Sequence, residues 1–451
     1  DLSQLEDAWE LSMGENLNLR DLGELLCGAD TPAAIWSAWS ALQNGLYFHG
    51  TPDKVETHNR EQVADILQQR EQKQQELEQK IAFSQRLKDK KFIDEDRDQL
   101  RNVEGLALGE DLASDMFKEL KLQPLPHVAH QWLIDYGIWD KVTNLNAIRA
   151  LRKRDLQPKS IIEIPQDHGE RMDLTHLTAW AIDDQDSHDP DDAISLEGER
   201  LWVHISDVAD LIPIDSECDL EARERSANLY LPEWTSPMIP PNITLSRGLG
   251  LQETSPALSF EISFENGQAQ LHRAGPSMVK VTRASYEAVD EAIGHHEGLV
   301  DIQKICLAFD AQRRKKGSLE LNLPEIKISA SNPDHVDIKL LCKSGSRLLV
   351  KNAMLMGGQA VAKFSRDHDI SLPYSCQKPP SIDDDSRTFN PDLLLDAVQL
   401  RRHMQPSELK LSPDQHAGLG LNPYTQCTSP LRRYSDLLVH QQLRGYWSQG
   451  K

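Results

Sequence analysis

Six aspartates lie within ten residues, between Asp183 and Asp192. So many like charges repel one another unless counter-ions hold them. The segments on either side, 177–182 and 193–196, are apolar and can enter a core, so the run is not part of a disordered acidic tail. The pattern predicts a tight loop whose carboxylates converge on one or two hard cations. Two such ions can activate a water molecule and stabilise the leaving oxygen in phosphodiester hydrolysis.

Two other interpretations of this acidic run remain open from the residues alone. A calcium-binding loop of the EF-hand type is disfavoured, because Pro190 and Asp191 stand where its signature requires a different spacing and a glycine. A solvated acidic turn without a metal is the simplest alternative, since such turns are common. Two further acidic runs, 94–96 and 383–385, are predicted to lie on solvated surfaces or loops.

The overall charge limits how this chain can meet nucleic acid. A formal net charge of −22 argues against a protein that coats nucleic acid, because such binding depends on Lys and Arg neutralising phosphates. The charge is compatible with a buried cluster of metal-binding carboxylates, since the bound ions supply the positive charge that meets a phosphate.

Cysteine usage and hydropathy favour a cytoplasmic protein that does not enter a membrane. The six cysteines are scattered and form no C-x-x-C pair, so we interpret them as reduced packing residues. No apolar run approaches the length needed to cross a bilayer. Because the sequence starts at Asp1 rather than Met, an N-terminal targeting segment stays an open question.

The pattern along the chain predicts four segments. These are a winged-helix-like module at 1–59, a long helical linker at 60–125, a second small helical module at 126–173 and a large domain at 174–451. Residues 60 to about 100 are rich in Gln, Glu, Lys and Arg, which predicts one long helix. Its middle lacks apolar residues, so we expect a solvated spacer rather than a coiled coil.

The first module has helical leucine spacing, followed by Thr31-Pro32 as a helix start. It could be a nucleic-acid-binding helix-turn-helix, or a module that only packs or binds a partner. No basic cluster marks the presumed recognition helix, which argues against sequence-specific DNA binding.

The large domain alternates strand-like with helical stretches, and we predict an α+β fold in which a mixed α/β catalytic domain follows the small helical modules and the linker helix. Strands are predicted at 201–205 and 257–264, with Asn266-Gly267 as a hairpin turn. Helices are predicted at 302–314, 348–364 and 431–446.

The order of further motifs resembles the ribonuclease II, or RNB, family. Asp183, Asp189, Asp191 and Asp192 have the spacing of that family's aspartate signature. Four later blocks match its pattern in the expected order: Val203-His-Ile-Ser-Asp-Val208; Asp219-x-Glu-Ala to Leu229-Tyr-Leu-Pro232 with Pro237-Met-Ile-Pro240 and Leu245-Ser246; Gly317-Ser-Leu with Leu323-Pro-Glu325; and Thr428-Ser-Pro-Leu-Arg-Arg-Tyr-Ser-Asp436 with His440. The resemblance covers residues 174–447, and five ordered blocks make coincidence negligible.

The resemblance implies roles for the matching aspartates. Asp183, Asp189 and Asp192 would bind Mg²⁺, with Mn²⁺ able to replace it. Asp191 would join them as a ligand and be the aspartate most tightly linked to cleavage. Each has an alternative role, because one member of such a set can instead hydrogen-bond backbone amides in the loop.

Two tyrosines are implied to bind the substrate. Tyr230 would lie against the terminal nucleotide, since an aromatic face stacks on any base and holds RNA without reading its sequence. A buried core tyrosine is the alternative for this position. Tyr286 resembles a second nucleotide-contacting tyrosine of the family.

Two arginines complete the implied site. Arg432 and Arg433 come at a helix start, where guanidinium groups can clamp the scissile phosphate and offset charge in the transition state. We assign Arg432 to catalysis and Arg433 to substrate binding, and expect one of the two to pair with Asp436 or another carboxylate.

The chain also departs from the family pattern. Lys351-Asn352 stands where the family usually has paired glutamates on a helix, and Gln441 stands where an arginine is common. The helical N-terminal modules replace the cold-shock barrels of the best-known members. Because Lys351-Asn352 replaces the paired glutamates, a carboxylate that would contact the substrate end is missing. We therefore expect altered binding of the last nucleotide.

Together these features predict a monomeric exoribonuclease that hydrolyses single-stranded RNA from its 3′ end and releases nucleoside 5′-monophosphates. In the family, selectivity for RNA comes from contacts to the 2′-hydroxyl. One alternative is a catalytically weak RNB-fold protein that binds RNA and regulates, as Lys351-Asn352 would suggest. Another is an endonuclease or other metal phosphohydrolase that uses the same aspartates.

Overall fold

The computed structural model describes residues 2–110, 123–165, 169–332, 335–341, 343–381, 390 and 393–450. Packing divides the chain into two compact units, residues 1–143 and 144–451. The four segment limits predicted from sequence stay predictions. The acidic run at 383–385, and residues 111–122 of the predicted linker, lie outside the described residues.

The first unit opens with three helices and a β-hairpin. The helices are Leu2–Leu11, Leu19–Cys27 and Pro32–Asn44, and the paired strands are Phe48–Thr51 and Lys54–Thr57. Thr31 caps the third helix with Pro32 in its first turn, as the sequence predicts, and Gly45 ends it in the left-handed conformation. The first helix, Leu2–Leu11, was not anticipated.

The single helix predicted from 60 to about 100 is wrong. A helix of 30 residues, Arg60–Asp89, ends at Lys90, whose φ of 53° is left-handed and whose amide bonds back to Arg86 and Leu87 carbonyls. A second helix, Arg97–Ala107, follows a short turn. The break between the two helices is stabilised by Asp96, which accepts the Ile93 amide and two hydrogen bonds from the Arg86 guanidinium.

Asp96 also corrects the prediction for its acidic run. It is buried, and its hydrogen bonds from Arg86 hold the pKa of its carboxyl below the usual range. The middle of the long helix is solvated, since residues 67–82 are all exposed. Val63 at one end joins the first core, whereas Phe83 and Leu87 at the other join a core with the helix Pro126–Asp135.

The second unit is built on a seven-stranded sheet. Its strands lie in the order Val281–Ser285, Ala179–Asp183, Asp192–Glu197, Arg200–Ser206, Ser255–Glu265, Gln268–Val279 and Met172–Asp173. Neighbouring strands are antiparallel except at the two edges, where the pairings are parallel. Asn266 and Gly267, both at positive φ, form the predicted turn between the two long strands.

Helices cover this sheet and complete the unit. They are Leu145–Lys153, Glu217–Arg225, Pro241–Arg247, Tyr286–Ala292, Glu297–Lys315, Gly345–Asp367, Leu394–His403 and Tyr434–Ser448. Three two-stranded pairs accompany them: Leu229–Tyr230 with Thr235–Ser236, Glu325–Asn332 with His335–Leu341, and Tyr374–Gln377 with Ser407–Lys410.

The main core lies between the sheet and two of these helices. Val203 and Phe260 of the sheet share one buried cluster with Phe309 of Glu297–Lys315 and Met356 of Gly345–Asp367. The α+β prediction is confirmed. Over the described part of the chain, every helix is too short or too polar to cross a bilayer.

Candidate active site

The acidic run joins two neighbouring strands of the large sheet. Asp183 is the last residue of one strand and Asp192 is the first of the next. Buried Ile182 and Ile194 anchor the strands in the core. The loop between them therefore projects from the edge of a rigid platform, which fixes where its carboxylates can lie.

Asp183 and Asp189 are each held by neutral donors. Asp183 accepts the Ser187 hydroxyl at 2.5 Å. Asp189 accepts the Tyr230 hydroxyl at 2.5 Å and the Asn228 amide at 3.1 Å, both on Oδ2. These bonds hold the two carboxylates in fixed orientations at either end of the loop.

Asp191 is the most deeply buried aspartate of the run, at 2% exposure. Its Oδ1 accepts the Leu431 amide at 2.8 Å, and its Oδ2 lies 2.9 Å from Arg432 Nε. Burial raises the pKa of Asp191 well above its ordinary value, and the Arg432 charge opposes that rise. Asp192 is half-buried, and desolvation together with the Asp183 charge raises its pKa to about 7.

The two arginines that precede the last helix separate by partner. Arg432 faces the acidic loop and interacts with the charges of Asp191, Asp192 and Asp189. Arg433 donates to Asp436 Oδ1 at 2.6 Å. Because Asp436 is fully buried and also accepts the Ser429 amide, Arg433 belongs to the support of this helix start, whereas Arg432 faces the carboxylates.

The two tyrosines have different neighbours. Tyr230 is 53% exposed, so its ring is open to solvent while its hydroxyl is bonded to Asp189. The Tyr286 ring lies 4.0 Å from the Arg347 guanidinium. The same Arg347 pairs with Asp184 of the acidic run. Burial, followed by the charges of Asp183 and Asp192, raises the pKa of Tyr286.

Sequence reasoning missed several residues that contact the site, among them Asn228, Arg347 and Lys327. Asn228 bonds to Asp189 and Tyr230, and Arg347 pairs with Asp184 at 2.5 Å. Lys327, on the Glu325–Asn332 strand, pairs with Asp186 at 2.9 Å. Only Asn228 carried a sequence signal, because it lies two residues before Tyr230 in a matched block.

The departures from the family pattern have clear structural consequences. Lys351 pairs with Glu320 at 2.7 Å. Asn352 is buried and donates to the Leu348 carbonyl, while its Oδ1 has no hydrogen-bond partner among the described residues. Gln441 donates to Asp219 and to the Ile212 carbonyl inside the core.

The predicted convergence of the carboxylates is not found. Within the described ranges, no group of three or more His, Cys, Asp or Glu side chains is arranged to hold a metal ion. Like charges repel at short range, and a separate protein donor holds each of Asp183, Asp189 and Asp191. Their metal-binding roles stay predictions.

The residues present nevertheless fit a hard divalent cation. Burial raises the pKa of both Asp191 and Asp192 although the Arg432 charge opposes the rise, so the carboxylate forms are costly here without further positive charge. A cation against these carboxylates would remove much of the cost of burying them. Carboxylate oxygens are also the ligands that Mg²⁺ prefers in proteins.

A mixed α/β unit with an acidic loop facing an arginine can now be compared with known proteins. A family model described as an RNB domain matches residues 171–449, which is more than half of the chain. The chain belongs to the RNB family. A second model, described as a double HTH domain, matches residues 63–145 and so overlaps the segments predicted as a linker and a second helical module.

Relatives and solved structures agree with this assignment. The chain is 32% identical to an uncharacterized ribonuclease of Synechocystis sp., covering 99% of this chain and 72% of that protein. It is 26% identical to the chloroplastic/mitochondrial ribonuclease II of Arabidopsis thaliana, covering 98% of this chain and 62% of the relative. The crystal structure of an active-site mutant of the Dss1 exoribonuclease from Candida glabrata matches with a TM-score of 0.68 at 17% identity, over 99% of this chain and 74% of that one.

Proposed function

We propose that this chain is a metal-dependent exoribonuclease that hydrolyses single-stranded RNA from the 3′ end and releases nucleoside 5′-monophosphates. One observation carries the proposal: in a chain of the RNB family, buried Asp191 faces Arg432 beside three further aspartates of the family signature. The names of its relatives, ribonuclease and ribonuclease II, support the substrate class.

Each site residue has a proposed task. Asp183, Asp189 and Asp192, with Asp191, would hold Mg²⁺, or Mn²⁺ in its place. When bound, these ions would lower the pKa of a water molecule and stabilise the leaving oxygen. Arg432 offers a charged fork to the scissile phosphate and offsets its developing negative charge.

The remaining side chains position the RNA. The exposed ring of Tyr230 offers a stacking face for the terminal base, and Tyr286 offers a second aromatic contact nearer Asp183. Arg433 adds positive charge at the same helix start, although its bond to Asp436 limits it to a weaker contact with substrate. We take the acting form to be a cytoplasmic monomer.

Incubation with 5′-labelled single-stranded RNA and Mg²⁺ tests this function. The wild-type protein should give progressively shorter labelled products. Asp191→Asn should abolish shortening while keeping the fold and RNA binding, because the amide preserves the Leu431 contact but not the charge. EDTA should also abolish it. Intact RNA with the wild-type protein at every Mg²⁺ and Mn²⁺ concentration would refute the proposal.

Closed-circle RNA separates the exonuclease from an endonuclease. An exonuclease cannot start without an end, so the circle should survive conditions that degrade the same sequence in linear form. Cleavage of the circle at a similar rate would instead assign the aspartates to an endonuclease.

A second candidate is an RNB-fold protein that binds RNA and cleaves it weakly. The observation that favours it is Lys351, whose pairing with Glu320 puts positive charge where the family has a glutamate. Restoring one carboxylate with Lys351→Glu decides between the two, because Lys351 is exposed, whereas a Glu at fully buried Asn352 would place an unpaired charge in the core. A large gain in turnover would favour the weak nuclease, and unchanged turnover favours the competent enzyme.

A further inference from the structure

Asn228, Asp189 and Tyr230 form a closed triangle of hydrogen bonds. The Asn228 Nδ2 donates to Asp189 Oδ2 at 3.1 Å and to the Tyr230 hydroxyl at 3.1 Å. The Tyr230 hydroxyl donates in turn to the same Asp189 oxygen at 2.5 Å. Every donor in the triangle has an acceptor, since the two amide hydrogens serve two different oxygens.

Asn228 is itself held firmly. Its side-chain Oδ1 accepts the Met238 backbone N–H at 2.6 Å, and its backbone N–H donates to the Arg432 carbonyl at 2.9 Å. The side chain therefore connects the Tyr230 strand pair to the acidic loop, while the backbone of the same residue is fixed to the chain at Arg432. A rotation about its χ angles would break bonds in two of these places at once.

The triangle restrains an otherwise free ring. Tyr230 is 53% exposed, and a side chain with so few neighbours would sample several rotamers. The short bond to Asp189 and the support from Asn228 select one of them. The same bonds engage one oxygen of Asp189, Oδ2, with both Tyr230 and Asn228.

We infer that Asn228 is a positioning residue that couples Tyr230 to Asp189, so that placing the terminal nucleotide and orienting the carboxylate depend on each other. This inference rests on the proposed function. Asn228 touches neither substrate nor metal in this account, and it acts through the two groups it holds. A simpler structural role would use only the Met238 bond, which joins the residues that flank the two short strands at the end opposite their turn.

A double-mutant cycle tests the coupling in turnover and in binding. Asn228→Ala, Tyr230→Phe and the double variant are compared for kcat and KM on single-stranded RNA. The same changes in an Asp191→Asn background are compared for RNA affinity by fluorescence anisotropy. We expect Asn228→Ala to lower kcat by roughly 10-fold. The double variant should be no worse than the more damaged single, because both changes break one unit.

Controls separate coupling from loss of fold. Asn228→Asp keeps the Oδ1 acceptor for Met238 but replaces the donated bonds with a carboxylate beside Asp189. Because like charges repel, it should lower kcat at least as far as Asn228→Ala, while circular dichroism should show that the fold is kept. Asn242→Ala removes an amide that bonds the Ile162 carbonyl away from the aspartates and should leave kinetics unchanged.

Each outcome decides one claim. Multiplicative losses in the double variant, in both turnover and binding, would overturn the coupling, as would wild-type behaviour of Asn228→Asp. An inactive wild-type protein whose RNA binding still shows the coupling would refute the nuclease and keep the inference.

Discussion

At the scale of single residues, two adjacent arginines meet two different buried carboxyl groups. Arg432 meets Asp191 at 2.9 Å, whereas Arg433 is engaged by fully buried Asp436. Arg432 therefore faces the acidic loop, whereas Arg433 supports the start of the last helix. Lysine keeps the charge of either residue but loses the planar fork that binds two oxygens.

This difference predicts opposite effects for two neighbouring substitutions. Arg432→Lys should lower kcat about 10²-fold with little change in melting temperature, because a transition-state contact is lost. Arg433→Lys should lower the melting temperature more than kcat, since it weakens the bond to Asp436. Steady-state kinetics and thermal melts of the two variants measure this, and the reverse pattern would show that the roles are exchanged.

A buried histidine predicts how stability depends on pH. His204 has no exposed surface and bonds to Ser195 and Ser259, and burial lowers its pKa to about 3 from 6.5. The folded state keeps it neutral, so its contribution to stability is complete above pH 6.5. That contribution is lost as the pH falls from 6.5 toward 3, because in this window the unfolded chain binds the proton and the folded chain does not.

Denaturant unfolding at pH 7.5 and pH 5 measures this contribution. Wild type should lose roughly 2 kcal/mol more over this range than His204→Gln, which cannot titrate. Equal losses in the two proteins would mean that His204 is protonated in the folded state.

Part of the site followed from sequence because its members are close along the chain or fall in ordered motifs. The four aspartates and the arginine pair belong to this part. Arg347 and Lys327 could not be predicted, because their contacts with Asp184 and Asp186 join residues more than a hundred positions apart. The lack of a ready-made carboxylate cluster among the described residues could not be predicted either, since it depends on which donor each aspartate finds.

At the scale of elements, the helix Gly345–Asp367 shows why two adjacent glycines are not equivalent. A Cβ on Gly358 would overlap the Thr425 carbonyl oxygen and lie 2.6 Å from the Tyr424 ring. A Cβ on Gly357 would lie 3.5 Å from Val203, an ordinary contact. One glycine permits close packing of the helix, while the other only weakens it.

This pair gives a matched test of the packing. Gly358→Ala should lower the free energy of unfolding by about 1–3 kcal/mol. Gly357→Ala should raise it by about 0.5–1 kcal/mol, because alanine is the better helix former. Urea unfolding of both variants checks the prediction, and equal effects would contradict the helix position described here.

Element types were predictable where periodicity was strong, and boundaries failed where a single tertiary contact acted. The Asn266-Gly267 turn and the helices around Phe309 and Met356 lie where the pattern indicated. The break at Lys90 did not, because it depends on the bond between Arg86 and buried Asp96. Charged residues look alike in sequence whether they are solvated or paired.

At the scale of the whole molecule, the net charge of −22 predicts weak salt dependence of RNA binding. Among the described residues, the basic side chains that contact the acidic loop include Arg432, Lys327, Arg347 and Arg283, and each is already bonded to protein oxygens. We therefore expect few phosphate counter-ions to be released when RNA binds. Between 50 and 200 mM KCl at constant Mg²⁺, KM for RNA should rise less than about 10-fold, against roughly 10³–10⁵-fold for six to ten phosphate contacts. A steep rise would reveal a basic RNA path outside the site described.

The central claim concerns direction as well as chemistry, and RNA labelled differently at its two ends tests both in one time course. The account predicts that the 3′ label appears first as a nucleoside 5′-monophosphate, while the 5′ label stays on progressively shorter chains. Neither change should occur with Asp191→Asn. Early release of the 5′ label would contradict the account. So would internal cleavage that gives two long products, one with each label.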